Sequence, residues 1–70
     1  MAENDMAKLE VLLDHWIEHN REHAEEFTEW AEKAKGLGQE AVHEEMTQAV
    51  KQMNRANESL LAALKRLKER

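Results

Sequence analysis

Three of the four histidines in the chain lie four residues apart, at His15, His19 and His23. On an α-helix this spacing stacks the imidazole rings along one side, each ring one turn above the last. Two imidazoles at positions i and i+4 can bind one transition-metal ion, so the stretch is a candidate metal site. The same residues could instead form a polar band inside a helix–helix contact. The sequence leaves both interpretations open.

The metal interpretation takes His19 and His23 as the first ligands, with His15 or Glu22 available one turn away. Imidazole binds divalent Zn, Ni and Co, whereas the absence of cysteine argues against soft Cu(I). Nearby carboxylates attract cations, and a twofold axis could double the ligand set to four histidines. This interpretation predicts a role in metal handling or sensing, and we put it forward because it is easily tested.

The alternative interpretation is a structural polar layer. Asn20 and His23 fall in the apolar seam of their helix, with His19 beside it, and the facing segment supplies Asn54 and Asn57 at about the same level. Buried polar side chains at such positions fix the register and the oligomeric state at some expense of stability. The protein would then be a non-catalytic homo-oligomerisation or protein-interaction module.

A third pattern is the Glu-x-x-His spacing of residues 40–43, which also occurs in di-iron helical bundles. Such sites need inward glutamates from other helices. The first helix has none in its seam, and Glu26 merely flanks it. We therefore expect His43 to pack near Trp30 and Ala31 rather than to bind iron.

The elements that position these residues are two helices and a turn. The chain has no proline, and its two glycines, Gly36 and Gly38, bracket Leu37. Gly-Leu-Gly is typical of a helix end, with Gly36 in the left-handed position after the helix. Asn4 or Asp5 can cap the start of the first helix. We predict helices at about residues 5–35 and 39–68, a turn at 36–38, and one domain over residues 1–70.

Both predicted helices carry a heptad pattern of apolar residues, as in coiled coils. The short turn makes them antiparallel neighbours, so we predict an all-α, two-helix antiparallel hairpin. One neighbouring helix cannot cover apolar stripes of this width, so we expect a homodimer forming a four-helix bundle. The expected interface residues are Leu13, Trp16, Phe27, Trp30, Met46, Met53 and Leu60.

Length, composition and charge exclude several classes of protein. Seventy residues without cysteine give a marginal core and no disulfide. With Ser59 the sole serine, no tyrosine and no phosphate-binding glycine loop, we do not expect an enzyme. The net charge of −5 disfavours nucleic acid and anionic membranes as partners, which leaves the chain itself or another, unidentified protein.

The charge is unevenly distributed along the chain. Residues 1–35 carry ten acidic and four basic residues, a net charge of −6, whereas residues 36–70 carry a net charge of +1. The first residues do not resemble a signal peptide, and no apolar run approaches the ~20 residues of a membrane span. We therefore expect a cytoplasmic protein.

Three short motifs carry a resemblance to a known type of domain. They are His-Trp-Ile-Glu-His-Asn at residues 15–20, Glu-His-Ala at 22–24 and Trp-Ala-Glu-Lys-Ala at 30–34. With them the chain resembles a family of small, largely uncharacterised helical-hairpin domains from bacteria and archaea. The resemblance covers most of the chain and implies a prokaryotic hairpin domain. It implies no particular activity.

Overall fold

The computed structural model describes the backbone of residues 2–69 and the side chains of residues 4–69. This part of the chain forms two α-helices, α1 (Ala2–Gly36) and α2 (Glu40–Lys68), and contains no strand. The helices lie side by side and antiparallel in a hairpin that measures 53 × 14 × 13 Å. Neither described helix has an apolar stretch long enough to cross a membrane.

The turn is built around Gly38 rather than Gly36. Gly38 has a φ of 79°, which L side chains rarely adopt. Its N–H donates to the carbonyl of Lys35 at 3.0 Å, and the N–H of Gln39 donates to the carbonyl of Ala34 at 2.9 Å. These two hydrogen bonds form a Schellman motif with Gly38 in the left-handed position. The prediction that Gly36 adopts the left-handed conformation was wrong, because Gly36 is the last residue of α1 and the glycine with a positive φ is Gly38.

The helix starts also differ from the prediction. Asn4 and Asp5 lie inside α1, which begins at Ala2, so neither residue caps it. Gln39 is the residue before α2, and its side chain makes no capping hydrogen bond. Glu40 follows in the first turn of α2, where a carboxylate interacts favourably with the positive end of the helix dipole.

The contact between the helices is narrow. The buried residues are Leu13, Ala24, Ala31 and Ala34 on α1 and Leu64 on α2. Three of the four on α1 are alanines in the half of the helix nearest the turn. Small side chains let two helices approach closely, so the hairpin closes tightly at the turn and relies on leucine packing at its other end.

Candidate functional site

A pair of asparagines joins the middles of the two helices. The Nδ2 group of Asn20 donates to Oδ1 of Asn57 at 3.0 Å, and the Nδ2 group of Asn57 donates to the carbonyl of Ile17 at 2.9 Å. Both asparagine side chains are part-buried, so each hydrogen bond satisfies a polar group that has lost some of its water. The link holds residues 17–20 of α1 level with residue 57 of α2.

The three spaced histidines form a ladder of rings along α1. The ring centroids of His15 and His19 are 5.5 Å apart, and those of His19 and His23 are 4.5 Å apart. The ladder continues to Phe27, whose ring centroid lies 5.8 Å from that of His23. His15 and His19 are exposed, and the side chain of His23 is 43% exposed. Two imidazoles of one helix are therefore close neighbours that solvent can reach.

The described residues contain no group of three histidine, aspartate or glutamate side chains arranged to hold a metal ion. Glu22, the expected additional ligand, is exposed. His23 has a carboxylate nearby, since Oε1 of Glu26 lies 4.0 Å from its Nδ1. A metal ion at His19 and His23 would need further ligands from water or another chain.

His43 lies apart from the ladder, near the turn. Its Nδ1–H donates to the carbonyl of Ala31 at 2.7 Å, in agreement with the expected contact. Oε2 of Glu32 lies 3.9 Å from the same nitrogen, and the His43 side chain is 17% exposed. His43 therefore ties the start of α2 to α1.

One side of the hairpin has a groove that we name the polar groove, because four of its six lining residues are polar or charged. It is lined by Arg21, Ala24, Glu25, Thr28, Val50 and Asn54. Asn54, which was expected in the polar layer, thus lies on this side and is exposed. The structure brings Asn20 and Asn57 together but leaves Asn54 outside their contact. Leu61, two turns along α2 from Asn54, follows on the same flank.

The other side of the hairpin is largely apolar, and we name it the open face. Val50, Asn57 and Leu64 form the row of α2 that faces α1. Met53 follows Val50 by three residues and Asn54 follows it by four, so these two side chains lie on opposite flanks of that row. Asn54 borders the polar groove, so Met46, Met53 and Leu60 lie on the opposite flank of α2. They are half-buried. Phe27 on α1 is also half-buried.

Two rows of side chains border the open face. On α1 the tryptophan row consists of Leu9, Trp16, His23 and Trp30, which share one heptad position. On α2 the alanine row consists of Val42, Ala49, Ala56 and Ala63, and all four are exposed. Leu12 and His19 lie at the outer edge of the tryptophan row. Bulky side chains therefore border the face on one helix and small side chains border it on the other.

The rings of the tryptophan row are accessible to solvent. Trp16 is 41% exposed and Trp30 is 54% exposed. Part of the Trp30 ring is covered by Lys33, whose Nζ lies 4.1 Å from the ring centroid. Leu13, one of the expected interface residues, is 5% exposed and packs within the hairpin. Leu9 and Leu12, which were not among the expected interface residues, are exposed at the open face.

The sequence of the chain matches a protein family. A family model matches residues 9–67, which include most of both helices, the histidine ladder and the asparagine pair. The chain belongs to the family described as Domain of unknown function (DUF8180). No curated protein and no solved structure matches the chain.

Sequence reasoning missed two features of the site. The hydrogen bond from Asn57 to the carbonyl of Ile17 involves a backbone group, which residue types do not reveal. Leu9 and Leu12 could have been included among the expected interface residues, because both lie on the flank of α1 that carries Trp16.

Proposed function

We propose that this protein is a non-catalytic homo-oligomerisation module. Two hairpins bury their open faces against each other and form a four-helix bundle. The observation that supports this proposal is the exposure of Trp16 and Trp30 on one apolar face, opposite a polar groove. Contiguous exposed apolar surface of this kind marks an interaction site in small soluble domains.

The asparagine pair fits the same role. It links the middles of the two helices, and both side chains are part-buried. A polar pair at such a level disfavours helix pairs that slide by one turn, because sliding would leave part-buried amides without partners. A single register of α1 on α2 keeps the open face in one shape that a second copy can match.

The test is the mass in solution of the protein and of two matched variants. Sedimentation equilibrium at micromolar concentration should give about twice the chain mass of 8.2 kDa. Leu12→Glu puts a charge on the open face and should give a monomer, whereas Leu61→Glu lies on the other side and should leave the dimer intact. Leu12 and Leu61 are similarly exposed, at 42% and 52%. A monomeric wild-type chain at every concentration would reject the proposal.

A second candidate function is binding of a divalent transition metal, Zn, Ni or Co, at His19 and His23. It is supported by the 4.5 Å separation of the two ring centroids, since solvent can reach both rings. One hairpin supplies two imidazoles, and water would complete the coordination. His15 lies one ring further along the ladder and is the next available ligand.

Metal binding predicts a thermal shift that depends on these rings. Adding Zn²⁺, Ni²⁺ or Co²⁺ at neutral pH should raise the melting temperature, because a ligand of the folded state stabilises that state. The gain should disappear as the pH falls, because protons displace the metal from imidazole. His23→Ala should abolish the shift, and the control His43→Ala should retain it. No metal-dependent shift in the wild type, relative to chelator, would exclude the site.

A further inference from the structure

We propose that the two hairpins of the dimer pair with their turns at the same end, so that α1 of each copy packs on α2 of the other. This inference rests on the proposed homo-oligomeric function. A symmetric dimer of two flat faces has its twofold axis in the plane of the contact. The axis can run along the helices, which puts both turns at one end, or across them, which puts the turns at opposite ends. Three observations favour the axis along the helices.

The first observation is the difference in size between the two rows. An axis along the helices sets the tryptophan row of one copy against the alanine row of the other, twice by symmetry. Both contacts then combine bulky with small side chains, and the helices stay evenly spaced. An axis across the helices would set tryptophan row on tryptophan row and alanine row on alanine row. The bundle would then be wide on one side and narrow on the other, and close packing would be lost.

The second observation is the level of each residue along the hairpin. The hydrogen bonds from Asn57 to Asn20 and to the Ile17 carbonyl fix which residues of α1 and α2 are level. A twofold rotation about an axis along the helices does not change the position of a residue along that axis. Each residue of the partner therefore lies at the same level as its equivalent in the first copy. Trp16 of one copy then lies between Ala56 and Ala63 of the other.

The same levels apply along the rest of the row. The contact of His43 with the Ala31 carbonyl gives a matching register near the turn. Trp30 of one copy therefore lies between Val42 and Ala49 of the other. Each ring of the tryptophan row meets a gap between two small side chains, which is the knobs-into-holes packing of helical bundles.

The third observation is charge. The half of the chain that contains α1 has a net charge of −6, and the half that contains α2 has a net charge of +1. With both turns at the same end, every neighbour of an acidic helix in the bundle is an α2. The two acidic helices lie diagonally across the bundle, at the largest separation it allows. The opposite arrangement makes them neighbours, which like charges disfavour.

A distance measurement between turns distinguishes the two arrangements. The chain has no cysteine, and Leu37 in the turn is 76% exposed, so Leu37→Cys gives a single spin-label site. Helices in contact lie about 8–10 Å apart, so dipolar spectroscopy should give a label separation below about 30 Å. Turns at opposite ends would be separated by about the 53 Å length of the hairpin, and that result would overturn the inference.

The two proposals fail in different ways. A dimer with the long distance contradicts the pairing but leaves the homo-oligomeric function standing. A labelled protein that sediments as a monomer and shows no intermolecular dipolar signal rejects both. Sedimentation of the same labelled sample therefore accompanies the distance measurement.

A pair of variants tests the packing independently of the label. Ala56→Leu fills the gap that receives Trp16 of the other copy, so it should raise the dimer dissociation constant at least about tenfold. The matched control Ala62→Leu is exposed and lies away from the open face, so dimerisation should not change. Equal dissociation constants for the two variants would contradict the packing of the tryptophan row on the alanine row.

Discussion

At the scale of single residues, the asparagine pair is the contact whose removal has the clearest consequence. Asn57→Ala removes the acceptor of the Asn20 amide and a donor to the Ile17 carbonyl. We expect a loss of about 1–2 kcal/mol in the free energy of unfolding, because a part-buried amide is left without its partner. Urea denaturation followed by circular dichroism measures this loss.

Replacing both asparagines is the informative control. Asn20→Leu with Asn57→Leu removes both partners together and leaves no unpaired amide, so stability should match or exceed that of the wild type. We expect the double variant to populate more than one oligomeric state, because the polar pair no longer selects one register. A double variant as unstable as Asn57→Ala would contradict this account.

Alanine substitutions at the two glycines should have opposite effects on stability. Gly36 lies in α1 with open space where a Cβ would be, so Gly36→Ala should stabilise the protein by about 0.5–1 kcal/mol. Gly38 has a positive φ, so Gly38→Ala should destabilise it by about 1 kcal/mol. Thermal melts of the two variants measure both effects. A loss at Gly36 larger than that at Gly38 would contradict the observed turn.

At the scale of the helices, the alanines of α1 determine how closely the hairpin closes. Ala31 is 3% exposed, and its carbonyl accepts the hydrogen bond from His43. Ala31→Leu adds volume where the helices touch and should cost about 1–3 kcal/mol by forcing them apart. Ala41→Leu, on the exposed side of α2, is the control and should change stability little. Chemical denaturation compares the two, and similar stabilities would mean that α1 and α2 do not approach closely at Ala31.

At the scale of the whole molecule, stability should depend on protein concentration. If two hairpins fold together, dilution shifts the equilibrium toward separate chains, and the melting temperature should fall by a few degrees for each tenfold dilution. Tryptophan emission should shift to longer wavelength in parallel, because Trp16 and Trp30 become exposed. A melting temperature that is constant over a hundredfold range of concentration would indicate a hairpin that folds alone.

Much of the architecture could be predicted from local sequence. Helix periodicity is a local property, so the two helices, their antiparallel hairpin and the stacking of the histidines follow from the spacing of residue types. The turn could be located to within two residues, since both glycines tolerate a left-handed conformation. Which of them adopts it depends on where α1 stops, and the hydrogen bonds around Ala34 and Gln39 decide that.

The tertiary structure alone decided which flanks of the two helices share a groove. The heptad pattern shows which side chains share a row on each helix. It does not show which neighbouring rows of α1 contact α2. This choice sets Asn54 in the polar groove with Arg21, and leaves His23 on the same face as Met53. It also buries Leu13 within the hairpin and exposes Leu12. Such choices arise from packing between residues distant in sequence, which no local pattern encodes.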